Sequence, residues 1–273
     1  MASAQGVAIC WVMSFDSPAR LTDRAVIAVT GEEARDFLQR VVTCPIADIS
    51  DGELRAGALL TPQGKIVADF LVHGRVDGVL IELPAAAAEA LAKRLSMYRL
   101  RAKAEVRLAD NLAVTIGEGA PDPRSAALPA RAIRPAADAA SLPSGDAVQA
   151  EAEIAAGVPA FGRDYGDTDV FPTDVNLDLY GGIGWKKGCF VGQEVVSRMK
   201  RRGTIRKRTV RLDFDGPAPA AGTDVTLGYT ALGTITSSAG SHALAILRLD
   251  RLEDAREVES GGLTAKVVLP EGL

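Results

Sequence analysis

The chain has 273 residues, 47% of them hydrophobic, and a net charge of −4, which is typical of a globular protein with two or three subdomains. Its cysteines and histidines are few and widely spaced: Cys10, Cys44, Cys189, His73 and His242. This spacing argues against a disulfide framework, a cysteine-only zinc or iron–sulfur site and a histidine metal cluster. We therefore expect no metal site within the chain, and we expect the reduced cytoplasm as its compartment.

Residues 1–17 are interpreted as an N-terminal extension. Their apolar run, residues 6–13, has no Lys or Arg before it and so lacks the charged start of a signal peptide. The run is also too short to span a bilayer. We expect no association with a membrane.

Residues 18–203 are predicted to form an α+β module of two subdomains. Hydrophobic periodicity predicts strands at 25–29, 56–60, 66–72, 79–83, 104–108 and 112–116, and helices over 34–41 and 85–97. The strands that flank residues 61–64 form a hairpin across that turn. Residues 119–147 are rich in Ala and Pro, and we place the break between the subdomains near 117–150.

Residues 204–273 are predicted to form a separate β domain. Short strands separated by Gly and Pro are expected at 210–214, 225–227, 234–237, 243–249 and 265–269. This spacing fits a small β-barrel or a sandwich. The whole chain is therefore predicted to be α+β with antiparallel pairing.

The most informative segment is 187–194, which reads Lys-Gly-Cys-Phe-Val-Gly-Gln-Glu. It places a thiol between two glycines, beside a lysine and ahead of a helix that begins near Gly192. A neighbouring ammonium group and a helix N-terminus both lower the pKa of a thiol. We therefore predict that Cys189 is reactive and that Lys187 assists it. The alternative is that Cys189 is a small buried hydrophobic residue.

Positive charge is concentrated directly around this segment. Residues 186–211 contain ten Lys or Arg and only one acidic residue, Glu194, so they carry a net charge of +9 in a chain whose net charge is −4. Such a block in an acidic protein indicates binding of an anion, with a solvated surface as the alternative. The anion is either the glutamyl tail of a folate or the backbone of a nucleic acid, with RNA contact expected through 198–211.

Lys187 to Glu194, followed by Arg198, resembles the signature of the YgfZ family: Lys-Gly-Cys, Tyr or Phe, any residue, Gly-Gln-Glu, and Arg four residues later. Members of that family are folate-binding proteins of iron–sulfur cluster metabolism, related in fold to the T-protein (aminomethyltransferase) of the glycine cleavage system. Shorter matches occur in the family's order at 59–65 with Asp69, at 122–124, at 157–159 with Asp164, and at 171–177.

The resemblance implies an aminomethyltransferase-like folate-binding fold with a small C-terminal β-barrel, and tetrahydrofolate in a central pocket. It implies Cys189 and Lys187 as the reactive pair. It also implies cofactor contacts from Gly188, Phe190, Gly192, Gln193, Glu194, Arg198 and Asn176. The implied partners are reduced folate and iron–sulfur client or assembly proteins, including enzymes that modify tRNA. The resemblance does not say which reaction, if any, is catalysed.

Two departures from the family pattern bear on the alternatives. Pro45 stands in the region where related T-proteins carry a catalytic aspartate, which argues against an aminomethyl transferase. Ala155 stands where some relatives carry a pterin-binding glutamate, with Glu153 nearby but out of register. The competing functions are therefore a folate-binding assembly protein, a folate-dependent one-carbon transferase, and a non-enzymatic scaffold that binds RNA or a protein partner.

Overall fold

A computed structural model describes residues 17–203 and 205–273, so the predicted N-terminal extension, apart from Ser17, lies outside the described residues. The strands are β1 Ala19–Leu21, β2 Arg24–Thr30, β3 Leu54–Leu60, β4 Ile66–Arg75, β5 Gly78–Pro84, β6 Glu105–Leu108, β7 Leu112–Ala120, β8 Arg131–Pro135, β9 Lys207–Phe214, β10 Asp224–Leu227, β11 Thr230–Ala239, β12 His242–Arg248, β13 Glu257–Ser260 and β14 Leu263–Val268. The helices are α1 Ala34–Gln39, α2 Ala85–Arg99, α3 Asp146–Ala156, α4 Gln193–Arg202 and α5 Leu249–Leu252.

The first unit is a five-stranded antiparallel sheet in the order β3-β4-β5-β2-β6. Successive side chains of a strand point to opposite faces of a sheet. Ile27 and Val29 of β2 therefore join the core under α1 and α2, whereas Val26 and Ala28 join a second core. That second core is shared with a three-stranded sheet in the order β1-β7-β8. Strand β2 is thus packed against a hydrophobic core on each of its two faces.

The 187–194 segment packs against the same sheet through a third core. Its Phe190 and the first buried residue of α4, Val196, lie with Leu60 of β3 and Leu71 of β4 in one hydrophobic cluster. Burial of these apolar side chains is the main force that attaches α4 to the sheet. The position of the segment is therefore set by the β3–β4 hairpin.

The Ala- and Pro-rich region near 117–150 contains ordered secondary structure. Strands β7 and β8 pair with each other, and α3 follows at 146–156. The sequence analysis did not predict α3, because its alanines and acidic residues follow an Ala- and Pro-rich stretch without a break in composition. Helix α3 ends at Gly157, which has a φ of +77° and so takes the left-handed conformation favoured at helix ends.

The last unit is a closed six-stranded barrel in the order β10-β11-β12-β9-β14-β13. Its interior is filled by alternate side chains of the strands, among them Leu212, Ile235, Leu247 and Val258. The predicted α+β class with a small C-terminal barrel is confirmed. Within residues 17–203 and 205–273, no helix combines the length and the apolar character needed to cross a membrane.

Candidate functional site

Two glycines shape the turn that carries Cys189. Gly188 has a φ of +94° and Gly192 a φ of +79°, values that side chains other than glycine rarely adopt. A Cβ atom on Gly192 would lie 2.6 Å from the carbonyl oxygen of Thr61, whereas one on Gly188 would have nothing within 4 Å. Gly192 is therefore required for the close contact between the start of α4 and the β3–β4 turn.

Cys189 lies on the surface of this turn. Cys189 is exposed to solvent, whereas Cys44 is fully buried. Burial raises the pKa of the Cys44 thiol to about 11, so that thiol is both inaccessible and protonated at neutral pH. The alternative of Cys189 as a core residue is therefore wrong. Its catalytic role stays a prediction.

Lys187 points inward, away from solvent. Its ammonium group donates hydrogen bonds to the carbonyl oxygens of Val42 at 2.5 Å and Cys44 at 2.8 Å, and it lies 5.4 Å from the ring centroid of Phe190. Burial lowers the pKa of Lys187 to about 8. Its observed contacts tie the signature segment to the chain that follows α1, and assistance to Cys189 stays a prediction.

The other residues predicted to contact the cofactor do not share one pocket. Phe190 is buried in the core under the sheet. Asn176 is also fully buried, has a φ of +62°, and donates from its amide to the carbonyl oxygen of Thr209 at 2.9 Å. Glu194 and Arg198 lie on the exposed face of α4. Gly188, Gly192 and Gln193 form the turn and the first residue of that helix.

A half-buried carboxyl group that the sequence analysis had not singled out as functional lies beside a cavity in the protein. Asp69 of β4 accepts a hydrogen bond from the Tyr165 hydroxyl at 2.7 Å. Burial raises the pKa of Asp69, although the Tyr165 hydrogen bond and nearby arginines oppose that rise. A buried carboxyl group with a raised pKa beside a cavity is a typical feature of functional sites. In the sequence, Asp69 was noted only because it belongs to the short family match at 59–65, and nothing there indicated a functional carboxyl group.

The central cavity beside Asp69 is small. It is lined by Arg24, Arg124, Phe161 and Tyr180 among others, and its volume is about 10 Å³, which holds about one water molecule. Carboxyl and guanidinium groups next to aromatic rings fit the polar edge and flat face of a pterin. The volume does not fit it, so tetrahydrofolate requires these side chains to move.

Ion pairs with buried carboxylates lie around this cavity and connect the five-stranded sheet, the β7–β8 pair and α3. The main contacts are Arg24–Glu82 at 3.1 Å, Arg131–Asp122 at 2.8 Å, Arg124–Glu153 at 2.9 Å, Arg163–Glu153 at 2.9 Å and Arg163–Asp164 at 2.8 Å, together with the Arg131–Glu82 pair. Burial tends to raise the pKa of Glu82, but the charges of Arg131 and Arg24 outweigh that effect and hold it well below its usual range. Glu153 is occupied by arginines, so it offers no free carboxylate to a pterin.

The basic segment divides into internal and exposed charges. Arg208 pairs with Asp178, and Arg211 pairs with Asp213 and donates to the carbonyl of Ala155. The exposed charges are Lys186, Arg198, Lys200, Arg201, Arg202, Arg206 and Lys207. Among the described residues, no group of three or more His, Cys, Asp or Glu is placed to hold a metal ion.

Comparison with known proteins supports the architecture and identifies relatives. Residues 206–273 match the family model of the CAF17 C-terminal β-barrel domain. The crystal structure of glycine cleavage system aminomethyltransferase T from Bartonella henselae superposes with a TM-score of 0.76 at 16% identity, over 93% of this chain and 84% of that one. The predicted aminomethyltransferase-like fold is confirmed. At this identity the likeness concerns the fold alone.

One relative is the mitochondrial iron–sulfur cluster assembly factor IBA57 homologue of Pyricularia oryzae, which is 30% identical over 86% of this chain and 72% of that protein. The mitochondrial IBA57 of Homo sapiens is 28% identical over 86% of this chain and 78% of that protein. These names contradict the predicted cytoplasmic location. The prediction was wrong because few cysteines and the lack of a Cys-x-x-Cys pattern indicate a reducing compartment without distinguishing one such compartment from another.

The similarity to these assembly factors extends over most of the chain. The match of the C-terminal barrel to a known domain family and the aminomethyltransferase-like fold are two further observations. Because 30% identity extends over 86% of the sequence, this chain belongs to the family of IBA57 iron–sulfur cluster assembly factors.

Proposed function

We propose that this protein supports the assembly of iron–sulfur clusters and that Cys189 is the residue that meets the cluster. The observation that carries the proposal is the exposed thiol on a glycine-flanked turn, in a chain whose relatives are iron–sulfur assembly factors. The turn is rigidly attached, because Phe190 is buried and Gly192 lies against Thr61. Cys189 is thus presented to an approaching partner without reorganisation of the fold.

One cysteine cannot hold a cluster alone. Iron–sulfur clusters are held by about four thiolate ligands, and the described part of the chain contains only one exposed cysteine and no cluster of metal-ligating side chains. We infer that the remaining ligands come from a second protein. In this arrangement the cluster is cargo that passes between proteins, and Cys189 is one ligand at the interface.

The test is to replace Cys189 by Ser in cells that lack the protein and to measure the activity of iron–sulfur enzymes. We expect Cys189→Ser to fold normally and to fail in restoring that activity, because a hydroxyl is a poor ligand for iron in place of a thiolate. Cys44→Ala is the matched control, since Cys44 is buried and removed from the surface. Full restoration by Cys189→Ser would overturn the proposal.

Binding of tetrahydrofolate is a second proposal, supported by the fold and by the groups around the central cavity. Folate supplies one-carbon chemistry when it is bound. Asp69 would accept a hydrogen bond from the pterin edge, or donate one in its protonated form, and Phe161 or Tyr180 would pack on the ring. The signature residues stay predicted contacts, and the exposed position of Gly188 and Arg198 suits the glutamyl tail of the folate better than the pterin.

Thermal unfolding with added tetrahydrofolate tests this proposal, because a ligand that binds only the folded protein raises its melting temperature. We expect protection of the native protein and weaker protection of Asp69→Ala. Absence of protection at millimolar tetrahydrofolate would show that the cavity stays closed.

Two finer assignments rest on the sequence resemblance: membership of the YgfZ branch, and client enzymes that modify tRNA. A third, RNA contact through 198–211, rests on the block of positive charge. The exposed charges of α4 support an anionic partner. An aminomethyl transferase is less favoured, because Pro45 stands in the region where related T-proteins carry a catalytic aspartate. A methylene-transfer assay distinguishes it from the assembly role.

A further inference from the structure

A groove separates the barrel from the loop that precedes the signature segment. One wall is formed by β11, β12 and α5 of the barrel, and the other by residues 164–174. Its volume is about 700 Å³, which lies within the range of roughly 300–1,000 Å³ found for small-molecule sites. We call it the barrel groove. It is distinct from the central cavity and from the turn that carries Cys189.

Five cationic side chains from separate parts of the sequence line this groove: Lys65, Arg206, Lys207, Arg248 and Arg251. They come from the β3–β4 turn, the start of β9, the end of β12, and α5. Only two of them belong to the basic segment noticed in the sequence. Their convergence is produced by the fold, and it creates a local field that attracts anions.

Two of these cations have no partner within the described protein. The side chains of Arg206 and Lys207 make no hydrogen bond or ion pair with residues 17–203 or 205–273. By contrast, Arg248 pairs with Asp250, and Arg251 donates to the carbonyl oxygen of Ala231 at 3.2 Å. Arg206 and Lys207 are therefore available to an external anion.

The acidic residues that also line the groove are already occupied. Asp169 accepts from the backbone amide of Gly166 at 3.0 Å, and Asp174 accepts from that of Phe171 at 3.0 Å. Asp164 pairs with Arg163 and accepts from the hydroxyl groups of β11. None of the three forms an ion pair with Arg206 or Lys207, although the charge of Lys207 acts on Asp174. Because five cations and three carboxylates line the groove, an excess of positive charge remains to attract an anion.

The groove also offers a flat apolar surface. Phe171, Val170, Leu232 and Ile246 line it, and the ammonium group of Lys65 lies 4.0 Å from the ring centroid of Phe171. The ammonium group therefore covers one face of the ring, and a flat ligand that also carries negative charge would contact the rest of the ring and this cation together. A simple inorganic anion would make no contact with this apolar surface.

We propose that the barrel groove binds a small amphipathic anion, with its carboxylate or phosphate groups on Arg206 and Lys207 and its flat body on Phe171. The site goes beyond the proposed role of Cys189 and does not depend on that residue. A nucleotide and an aromatic dicarboxylate share this chemistry, so the experiment has one arm for each.

The experiment is calorimetric titration of the full chain with ADP and, separately, with naphthalene-2,6-dicarboxylate. We expect at least one probe to bind, and Arg206→Ser combined with Lys207→Ser to weaken that binding by about ten-fold or more, since hydrogen bonds to charged groups are the strong ones. Binding of ADP alone identifies a phosphate ligand, and binding of the dicarboxylate alone identifies a carboxylate ligand.

The matched control is Arg201→Ser combined with Arg202→Ser, which removes the same charge from the exposed end of α4 outside the groove. We expect the control to bind within about three-fold of the native protein, because exposed charges act weakly over a distance. Equal weakening by both double variants, or no binding of either probe at millimolar concentration, would overturn the proposal. Cys189→Ser should bind like the native protein, which separates this test from that of the assembly role.

Discussion

Replacement of Gly192 by Ala tests whether the signature turn is held by contact with the β3–β4 turn. The φ of Gly192 is +79°, and an added Cβ would lie 2.6 Å from the carbonyl oxygen of Thr61 and 3.0 Å from the Cβ of Leu60. The new methyl group therefore meets backbone, which cannot rotate away. Either α4 shifts or the hairpin does, and both are packed in the same core.

The structure supplies a matched control in Gly188, which has a φ of +94° and open space where a Cβ would be. Gly188→Ala should cost only the strain of a left-handed backbone, about 1–2 kcal/mol. Gly192→Ala carries the same strain plus overpacking of roughly 1–3 kcal/mol. We therefore expect a total loss of about 2–5 kcal/mol for Gly192→Ala.

Urea unfolding followed by circular dichroism and tryptophan fluorescence measures both free energies of unfolding. Unchanged slopes with urea would show that the two variants unfold like the native protein. Equal losses for Gly188→Ala and Gly192→Ala would refute the reasoning, since they would show that the turn can move from the hairpin at no cost.

Three further predictions concern buried groups. Arg131→Met should lower the free energy of unfolding by about 3–5 kcal/mol, because buried carboxylates lose their partner; the exposed Arg201→Met is the control in the same urea titration and should change it by less than about 0.5 kcal/mol. Lys187 has a pKa lowered from 10.5 to about 8, so between these values the unfolded chain holds a proton that the folded chain has released. Its contribution to stability should therefore rise over that pH range, and urea titrations of Lys187→Met should lack the rise. Iodoacetamide at pH 7.5 should modify Cys189 in the folded protein and Cys44 only after unfolding, as read by mass spectrometry; early modification of Cys44 would contradict its burial.

The local patterns of the sequence were sufficient for much of the fold. The continuous apolar run at 25–29 predicted β2, and it is continuous because each face of the strand enters one of two cores. The short strands after residue 204 predicted a β domain, and the signature at 187–194 predicted a turn ahead of a helix. The sequence did not predict α3, since its composition continues that of the preceding Ala- and Pro-rich stretch and gives no boundary signal.

The site depended on contacts between distant residues. The order of residues places Lys187 beside Cys189, yet its ammonium group bonds to the carbonyl oxygens of Val42 and Cys44. A side chain as long as lysine reaches whichever acceptors the packed chain brings near, and sequence distance does not reveal them. In the same way, a count of charged residues cannot show that Arg208 forms an ion pair with Asp178.

The sequence by itself determined the family signature, the cysteine turn as a candidate site and the α+β class, because each is encoded in residues close together along the chain. Only the tertiary structure decided that Asp69 faces a closed central cavity and that Lys65, Arg206 and Arg248 converge on one groove. Burial and electrostatic pairing depend on distance in space, and that distance is set by the packing of four cores that the chain builds from widely separated segments.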